Sequence, residues 1–194
     1  SAFRYFLGEH VESVLDLGCG KGKYIDKLIQ QVSVNRVVGI DYRKEALEEF
    51  NARMSQHNNL KYQAYCLDLL KNDREIMQIG QFDWVSSGGL VEHFYGDSFV
   101  KLLQLHDQLC AKDGYVTIEV PNFAGFKYLW FYLFDRVALD IHNLMTMLPI
   151  MYNEFFGSRN YKIHYSGYIG KPRVWGVTSL QYLNSNLDRQ ALNY

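Results

Sequence analysis

The sequence is poor in the residues that mark disulfide-bonded or metal-rich proteins. It holds three cysteines and three prolines in 194 residues. Cys19, Cys66 and Cys110 are scattered, without the paired spacing of a zinc site or a disulfide framework. The first ten residues lack the basic start and long apolar run of a signal peptide. We therefore expect no export and a reducing, cytoplasmic location.

An excess of charge of one sign is also absent. The formal net charge is -1, so there is no overall positive field to hold phosphates, and we expect no nucleic-acid partner. The most apolar stretch, Phe123 to Phe134, is interrupted by Lys127 and is shorter than the roughly 20 residues of a membrane span. The remaining composition, 48% hydrophobic and 21% charged, is that of one globular domain over residues 1–194.

Apolar runs alternate with helical patterns along most of the chain. The runs predict five strands, at about Val14 to Leu17, Arg36 to Ile40, Leu60 to Cys66, Phe82 to Ser86 and Tyr115 to Val120. Helices are expected between them, including one from about Asp97 to Cys110. This alternation predicts parallel pairing through right-handed crossovers. The fold class is therefore α/β, a doubly wound sheet with helices on both faces and ligands at the carboxyl ends of its strands.

The pattern changes after this core, which spans residues 14–122. Residues 123–160 begin with the aromatic run FAGFKYLWFYLF, and we interpret them as an insertion or lid on the acceptor side. A helix packed on the sheet with a homodimer contact is an alternative, because aromatic side chains also anchor interfaces. We expect a sixth strand at about Lys162 to Ile169, and a last helix capped by Thr178 or Ser179.

Asp16 precedes a glycine-rich turn, DLGCGKG. Glycine at every second position lets the backbone turn tightly and approach a ligand at a helix amino end. The spacing differs from the G-x-G-x-x-G of dinucleotide sites. An acid ahead of the loop would repel a pyrophosphate but suits a ligand carrying an ammonium and a sulfonium. An incidental strand-to-helix turn is the plainer alternative.

Two further acids end predicted strands. Asp41 follows the second strand, where a carboxylate can accept both hydroxyls of a ribose, and Tyr42 offers a flat face to a purine. Asp68 follows the third strand, where it can accept from an adenine amino group. Helix capping is the alternative for both acids, because Asp is a favoured cap residue.

The motifs VLDLGCGKG, VVGIDY, CLDLL, FDWVSSGGLVEHF and GYVTIEVPNF together resemble the successive motifs of class I S-adenosylmethionine-dependent methyltransferases. The resemblance implies a Rossmann-like, mostly parallel, seven-stranded type of sheet and S-adenosylmethionine as cofactor. It also implies a small-molecule methyl acceptor, at an oxygen of a metabolite, glycan or lipid-like compound. By the same resemblance Asp16, Gly18 and Gly20, with Cys19 in their loop, cradle the methionine part, Asp41 binds the ribose, Tyr42 and Leu69 cover the adenine, Asp68 binds its amino group, and Ser87 and Gly88 lie at the reacting end.

The family closes its sheet with an antiparallel sixth and seventh strand, and here the chain departs from it. The segment after Thr178 has a helical pattern. Either Arg173 to Val177 forms the last strand, or that strand is missing. Only Phe3 to His10 is available for the helix that often precedes the first strand.

Glu92 and His93 follow the reacting-end loop. Histidine accepts protons near neutral pH, so we rank His93 first as a catalytic base. A structural hydrogen bond is the alternative, since nitrogen and carboxylate acceptors need no base. Two interpretations of His142 are open: it faces the pocket, or it is a satisfied histidine of an amphipathic helix, which we favour. No pair of His, Asp or Glu has the spacing of a ligand helix such as H-E-x-x-H, so we expect no metal.

Three other functions remain open at this point. A non-catalytic cofactor-binding partner subunit would keep Asp41 and the glycine loop. An RNA or protein methyltransferase would need a basic face or another loop after the fourth strand. A nicotinamide dehydrogenase would need a different glycine spacing.

Overall fold

A single sheet organises the computed structural model of the chain, which describes residues 10–123, 126–159, 161–169 and 179–183. Its strands are β1 (His10–Leu17), β2 (Ser33–Asp41), β3 (Lys61–Cys66), β4 (Phe82–Gly88), β5 (Cys110–Pro121), β6 (Tyr165–Ile169) and β7 (Ser179–Leu183). They lie in the order β3-β2-β1-β4-β5-β7-β6. The first five strands pair in parallel, and β7 is antiparallel to both β5 and β6. The predicted fold class is confirmed.

Helices connect the parallel strands and continue after β5. They are α1 (Lys23–Ile29), α2 (Lys44–Met54), α3 (Asp73–Gln78), α4 (Gly96–Leu109), α5 (Phe126–Phe134), α6 (Arg136–Asp140) and α7 (Pro149–Gly157). Short 3-10 turns form at Val91–His93 and Leu144–Met147. None of these helices is long and apolar enough to cross a membrane.

Alternating side chains bury both faces of the sheet. Val14 and Trp84 pack with α1 and α2 on one face, whereas the next residues, Leu15 and Val85, pack with α4 on the other. Successive side chains of a strand point to opposite faces, so strands covered on both sides read as nearly continuous apolar runs. This is why the central strands are recognisable in the sequence.

The predicted last helix is wrong where the structure describes it, because Ser179–Leu183 is the strand β7. The seventh strand is therefore present. In its register Leu180 lies opposite Val120 and Tyr182 opposite Ile118, so pairing with β5 overrides the local helical pattern. The alternative strand at Arg173 to Val177, Thr178 and the segment before His10 lie outside the described residues.

Several strand boundaries also differ from the sequence prediction. β1 begins at His10 rather than at Val14, β2 at Ser33 rather than at Arg36, and β6 at Tyr165 rather than at Lys162. β5 begins at Cys110 rather than at Tyr115 and contains an irregularity at Asp113, which has a φ of 64°. The register between β4 and β5 shifts beside it, between Phe82 and Trp84, as a local bulge permits.

Gly39 of β2 has no room for a side chain. A Cβ at this position would lie 2.7 Å from Cys19 Sγ in the glycine loop and 2.7 Å from Phe50 Cζ in α2. The loop and α2 therefore pack directly on the backbone of β2.

We predict that Gly39→Ala lowers the free energy of unfolding by about 1–3 kcal/mol, because overpacking displaces both neighbours. Denaturant titration measures the change. The control is Gly157→Ala in α7, where an added Cβ meets nothing within 4 Å; its stability should be unchanged or slightly raised. A Gly39→Ala variant as stable as the wild type would contradict this packing.

Candidate active site

The glycine loop between β1 and α1 has the backbone that its sequence predicts. Gly18, Gly20 and Gly22 have φ of 66°, 51° and 71°, the left-handed region that glycine adopts without strain. A Cβ on Gly18 would also lie 2.7 Å from Leu90 Cδ1. The N–H of Cys19, which is buried, donates to the carbonyl of Ile40 at 3.0 Å. The loop is thereby fixed to the carboxyl end of β2.

Asp16 lies under this loop and is 1% exposed. Its Oδ1 accepts from the Ser86 hydroxyl at 3.2 Å, and its Oδ2 is buried with no hydrogen-bond partner among the described residues. Burial raises the pKa of Asp16 to about 8, against the hydrogen bond from Ser86 and together with the negative charge of Asp41. A cationic group beside Asp16 would offset the cost of burying its charged carboxylate. This fits the ammonium-bearing cofactor that the motifs imply.

Asp41 is 4% exposed and is surrounded by donors. The N–H of Gly20 donates to its Oδ2 at 2.9 Å, and the N–H of Arg43 donates to its Oδ1 at 2.9 Å. The guanidinium of Arg43 adds contacts of 3.1 Å to Oδ1 and 3.3 Å to Oδ2. No side chain caps the start of α2, so capping does not explain Asp41. A ribose bound at Asp41 would have to compete with the Arg43 guanidinium for the carboxylate oxygens. The sequence pattern did not predict this role of Arg43.

A first pocket of 370 Å³ opens beside Asp41. Tyr42, 71% exposed, and Leu69, which is buried, both contribute to its wall. Asp68 also lines it; its Oδ1 accepts from the N–H of Leu70 at 2.9 Å and its Oδ2 pairs with Lys71 Nζ at 3.0 Å. These contacts lower the pKa of Asp68. The lining is Gly18, Asp41, Tyr42, Arg43, Leu67, Asp68, Leu69, Leu70, Gly89, Leu90, His93 and Phe94.

A second pocket of 490 Å³ lies on the other side of Gly89, which lines both. Its walls are largely apolar, with carboxylates and a histidine among them. The lining is Tyr24, Gly88, Gly89, Glu92, Glu119, Val120, Pro121, Phe123, Phe131, Ala138 and His142. Gly88, which the resemblance places at the reacting end, lines this pocket. His142 also lines it, which agrees with the less favoured of its two interpretations.

Ser87, the other residue predicted at the reacting end, lines neither pocket. Its hydroxyl is fully buried, 2.9 Å from Nε2 of His106, whose Nδ1 lies 2.7 Å from the carbonyl of Leu102. Ser87 shares a face of β4 with Val85, the face that packs on α4. The Ser87 side chain therefore points away from both pockets, and a contact between Ser87 and a bound ligand would have to come from its backbone.

His93 lines the first pocket. Its Nδ1 lies 3.0 Å from the carbonyl of Ile141, and its Nε2 lies 4.0 Å from Glu92 Oε1. The ring of His142 is 4.6 Å away, between centroids. Glu92 is 1% exposed, and burial raises its pKa to about 7. The His93 ring is thus held by a hydrogen bond to the backbone, and its Nε2 faces the Glu92 carboxylate.

Comparison with known families gives the class of this site. The family described as "Methyltransferase domain" matches residues 14–114, more than half of the chain. The chain therefore belongs to this methyltransferase family, as its motifs predict. No protein among the curated sequences matches it.

Solved structures share the fold. The methyltransferase domain of bacterial CtHen1-C is 15% identical with a TM-score of 0.70, covering 96% of this chain and 95% of that one. The mycolic acid cyclopropane synthase CmaA1, complexed with SAH and CTAB, is 16% identical with a TM-score of 0.61 over 86% of this chain. This chain spans 62% of that protein. The N-methyltransferase NodS from Bradyrhizobium japonicum WM9, in complex with S-adenosyl-l-homocysteine, is 13% identical with a TM-score of 0.60, covering 93% and 82%. At these identities the likeness concerns the fold alone.

The burial of the His106 ring predicts a pH-dependent stability. Burial lowers the pKa of His106 to about 4, whereas an unfolded histidine titrates near 6.5. Between these values the unfolded chain binds more protons, so the free energy of unfolding falls as the pH drops from about 6.5 to 4, by up to about 3 kcal/mol. His106→Gln should lose this share of the pH dependence, measured by urea unfolding at several pH values. Parallel pH profiles for variant and wild type would contradict the burial of a neutral ring.

Proposed function

We propose that this protein transfers a methyl group from S-adenosylmethionine to an oxygen atom of a small-molecule acceptor, such as a metabolite, glycan or lipid-like compound. The observation that carries the proposal is the pair of buried acids, Asp16 and Asp41, at the glycine loop of a methyltransferase sheet. Two similar structures were solved with the demethylated cofactor.

Five of the predicted cofactor residues line the first pocket, namely Gly18, Asp41, Tyr42, Asp68 and Leu69, whereas Asp16, Cys19 and Gly20 line neither pocket. Asp16 suits the ammonium and sulfonium charges, and Asp41 suits the two ribose hydroxyls. Tyr42 and Leu69 offer apolar faces for the adenine, and Asp68 offers an acceptor for its amino group. Gly18, Cys19 and Gly20 supply backbone close to the methionine part.

The second pocket supports a small acceptor. Its volume of 490 Å³ lies in the range of small-molecule sites, which are mostly apolar with a few convergent polar groups. Val120, Pro121, Phe123 and Phe131 supply the apolar wall. Holding acceptor and methyl donor in line is worth about 7 to 11 kcal/mol of the barrier. His93, at the junction, is the catalytic residue that receives the acceptor's proton.

The segment after β5 supports the proposed acceptor-side lid at residues 123–160. Its helices α5 and α6 carry exposed apolar side chains, among them Leu133, Phe134 and Val137. Exposed apolar patches mark ligand or partner sites, so the same surface also suits a homodimer contact. The free cysteines suit a cytoplasmic reaction, and the near-neutral net charge disfavours an RNA acceptor.

We expect Asp41→Asn to weaken binding of S-adenosylhomocysteine about tenfold or more, since a hydrogen bond to a charged group is worth about 1.5–3 kcal/mol. Isothermal titration calorimetry measures the affinity. Asp73→Asn is the control, because Asp73 pairs with Lys101 outside both pockets and should bind as the wild type does. Absence of binding by the wild type, or tighter binding of NAD, would exclude the proposal.

The raised pKa of Asp16 predicts that cofactor binding releases a proton. With a pKa of about 8 it is mostly protonated at pH 7 in the free protein, and a cationic ligand beside it stabilises the carboxylate. Binding of S-adenosylmethionine at pH 7 should therefore release up to about one proton. Calorimetry in buffers of different ionisation enthalpy measures this release. Asp16→Asn should bind more weakly and without that proton, whereas equal release by both proteins would rule out Asp16 as the linked group.

A further inference from the structure

Three side chains between the pockets, Glu92, His93 and His142, bring their ligand atoms within 4.8 Å of one another. Two backbone segments are tied together to achieve this. The N–H of Asn143 donates to the carbonyl of Glu92 at 2.6 Å, and its side-chain amide donates to the carbonyl of Phe94 at 2.9 Å. The 3-10 turn after β4 and the segment after α6 therefore form one frame.

The two imidazoles have the tautomer of metal ligands. His93 Nδ1 lies 3.0 Å from the carbonyl of Ile141, and His142 Nδ1 lies 2.5 Å from the carbonyl of Ala138. A carbonyl only accepts hydrogen bonds, so Nδ1 carries the hydrogen in each ring and Nε2 keeps its lone pair. Metal-bound histidines characteristically donate their second N–H to a carbonyl or carboxylate in this way.

The Glu92 carboxylate is the third member, and its Oε1 lies 4.0 Å from His93 Nε2. It is 1% exposed, and its Oε2 has no hydrogen-bond partner within the described part of the chain. Buried polar atoms are nearly always paired, and a buried charge without a partner is costly. Glu119 lines the same pocket and adds negative charge. The cluster therefore has the electrostatics of a cation site.

We propose that Glu92, His93 and His142 bind one divalent transition-metal ion, with an open coordination position towards the second pocket. Two imidazoles and one carboxylate form a ligand set of catalytic zinc and related ions, and such sites leave a position for water or substrate. Bonds of about 2.1 Å place ligand atoms roughly 3.0–3.5 Å apart. The ligand atoms of the three side chains lie within 4.8 Å of one another, so small side-chain rotations would bring them to that spacing.

The role of the ion rests on the proposed function. An ion held by these three residues would make an acceptor hydroxyl at the open position lose its proton more readily, because a bound cation stabilises the alkoxide. The new O–C bond forms as the methyl C–S bond breaks, the sulfonium becomes a neutral thioether, and the proton passes to water. With the ion bound, His93 would be a metal ligand in place of the base role given to it under the proposed function, and water would take the proton.

Co²⁺ is the probe that tests this site on the full chain, after treatment with a chelator. The wild type should bind one ion, with visible absorption bands of nitrogen and oxygen coordination. His142→Ala and Glu92→Gln should each bind at least about tenfold more weakly, since even an outer-shell partner contributes 10- to 100-fold. His57→Ala is the matched control, because His57 pairs with Asp26 away from both pockets, and should bind Co²⁺ as the wild type does.

Binding of S-adenosylhomocysteine by the same proteins separates the two proposals. A wild type that binds this compound but no Co²⁺, or a His142→Ala variant that binds Co²⁺ as tightly as the wild type, overturns the metal site alone. A wild type that binds Co²⁺ but not S-adenosylhomocysteine overturns the proposed function alone. Circular dichroism confirms that each variant is folded, and His142→Ala, whose ring is partly exposed, keeps the test valid if Glu92→Gln does not fold.

Discussion

The hydrogen bond from the N–H of Gly20 to the buried carboxylate of Asp41 is the contact on which the site depends. It joins the glycine loop after β1 to the end of β2, and the bond from Cys19 to Ile40 reinforces it. Only a loop of left-handed glycines can bring its backbone so close to the neighbouring strand. With the loop held there, Asp16 is sealed beneath it and the first pocket opens beside Asp41. These two hydrogen bonds therefore fix both the backbone of the glycine loop and the position of the two buried acids.

Much of the fold could be predicted because its signals are local. Strands buried on both faces read as apolar runs, and parallel pairing places their carboxyl ends on one edge. The sequence alone therefore places Asp41, Asp68 and Gly88 at a common edge of the sheet. The glycine loop could also be predicted, because positive φ at alternating positions favours glycine there.

What the sequence could not predict depends on contacts between distant segments. β7 has a helical pattern and becomes a strand only because β5 offers an edge to pair with. Ser87 was read as a loop residue, but β4 extends to Gly88 and directs this hydroxyl to α4. His142 reaches the pocket through the path of the chain after α6, which no spacing rule reveals. Arg43 stands two residues after Asp41, and a basic residue so close to an acid at the end of a strand is the signal that indicates their pairing.

The most direct test of the central claim is a crystal structure of the protein with S-adenosylhomocysteine. We predict electron density for the ribose hydroxyls at Asp41, the adenine between Tyr42 and Leu69, and the amino group towards Asp16. The sulfur should lie near Gly89, facing the second pocket. Density for the compound elsewhere on the protein, or with its sulfur directed away from that pocket, would contradict the proposed methyl transfer.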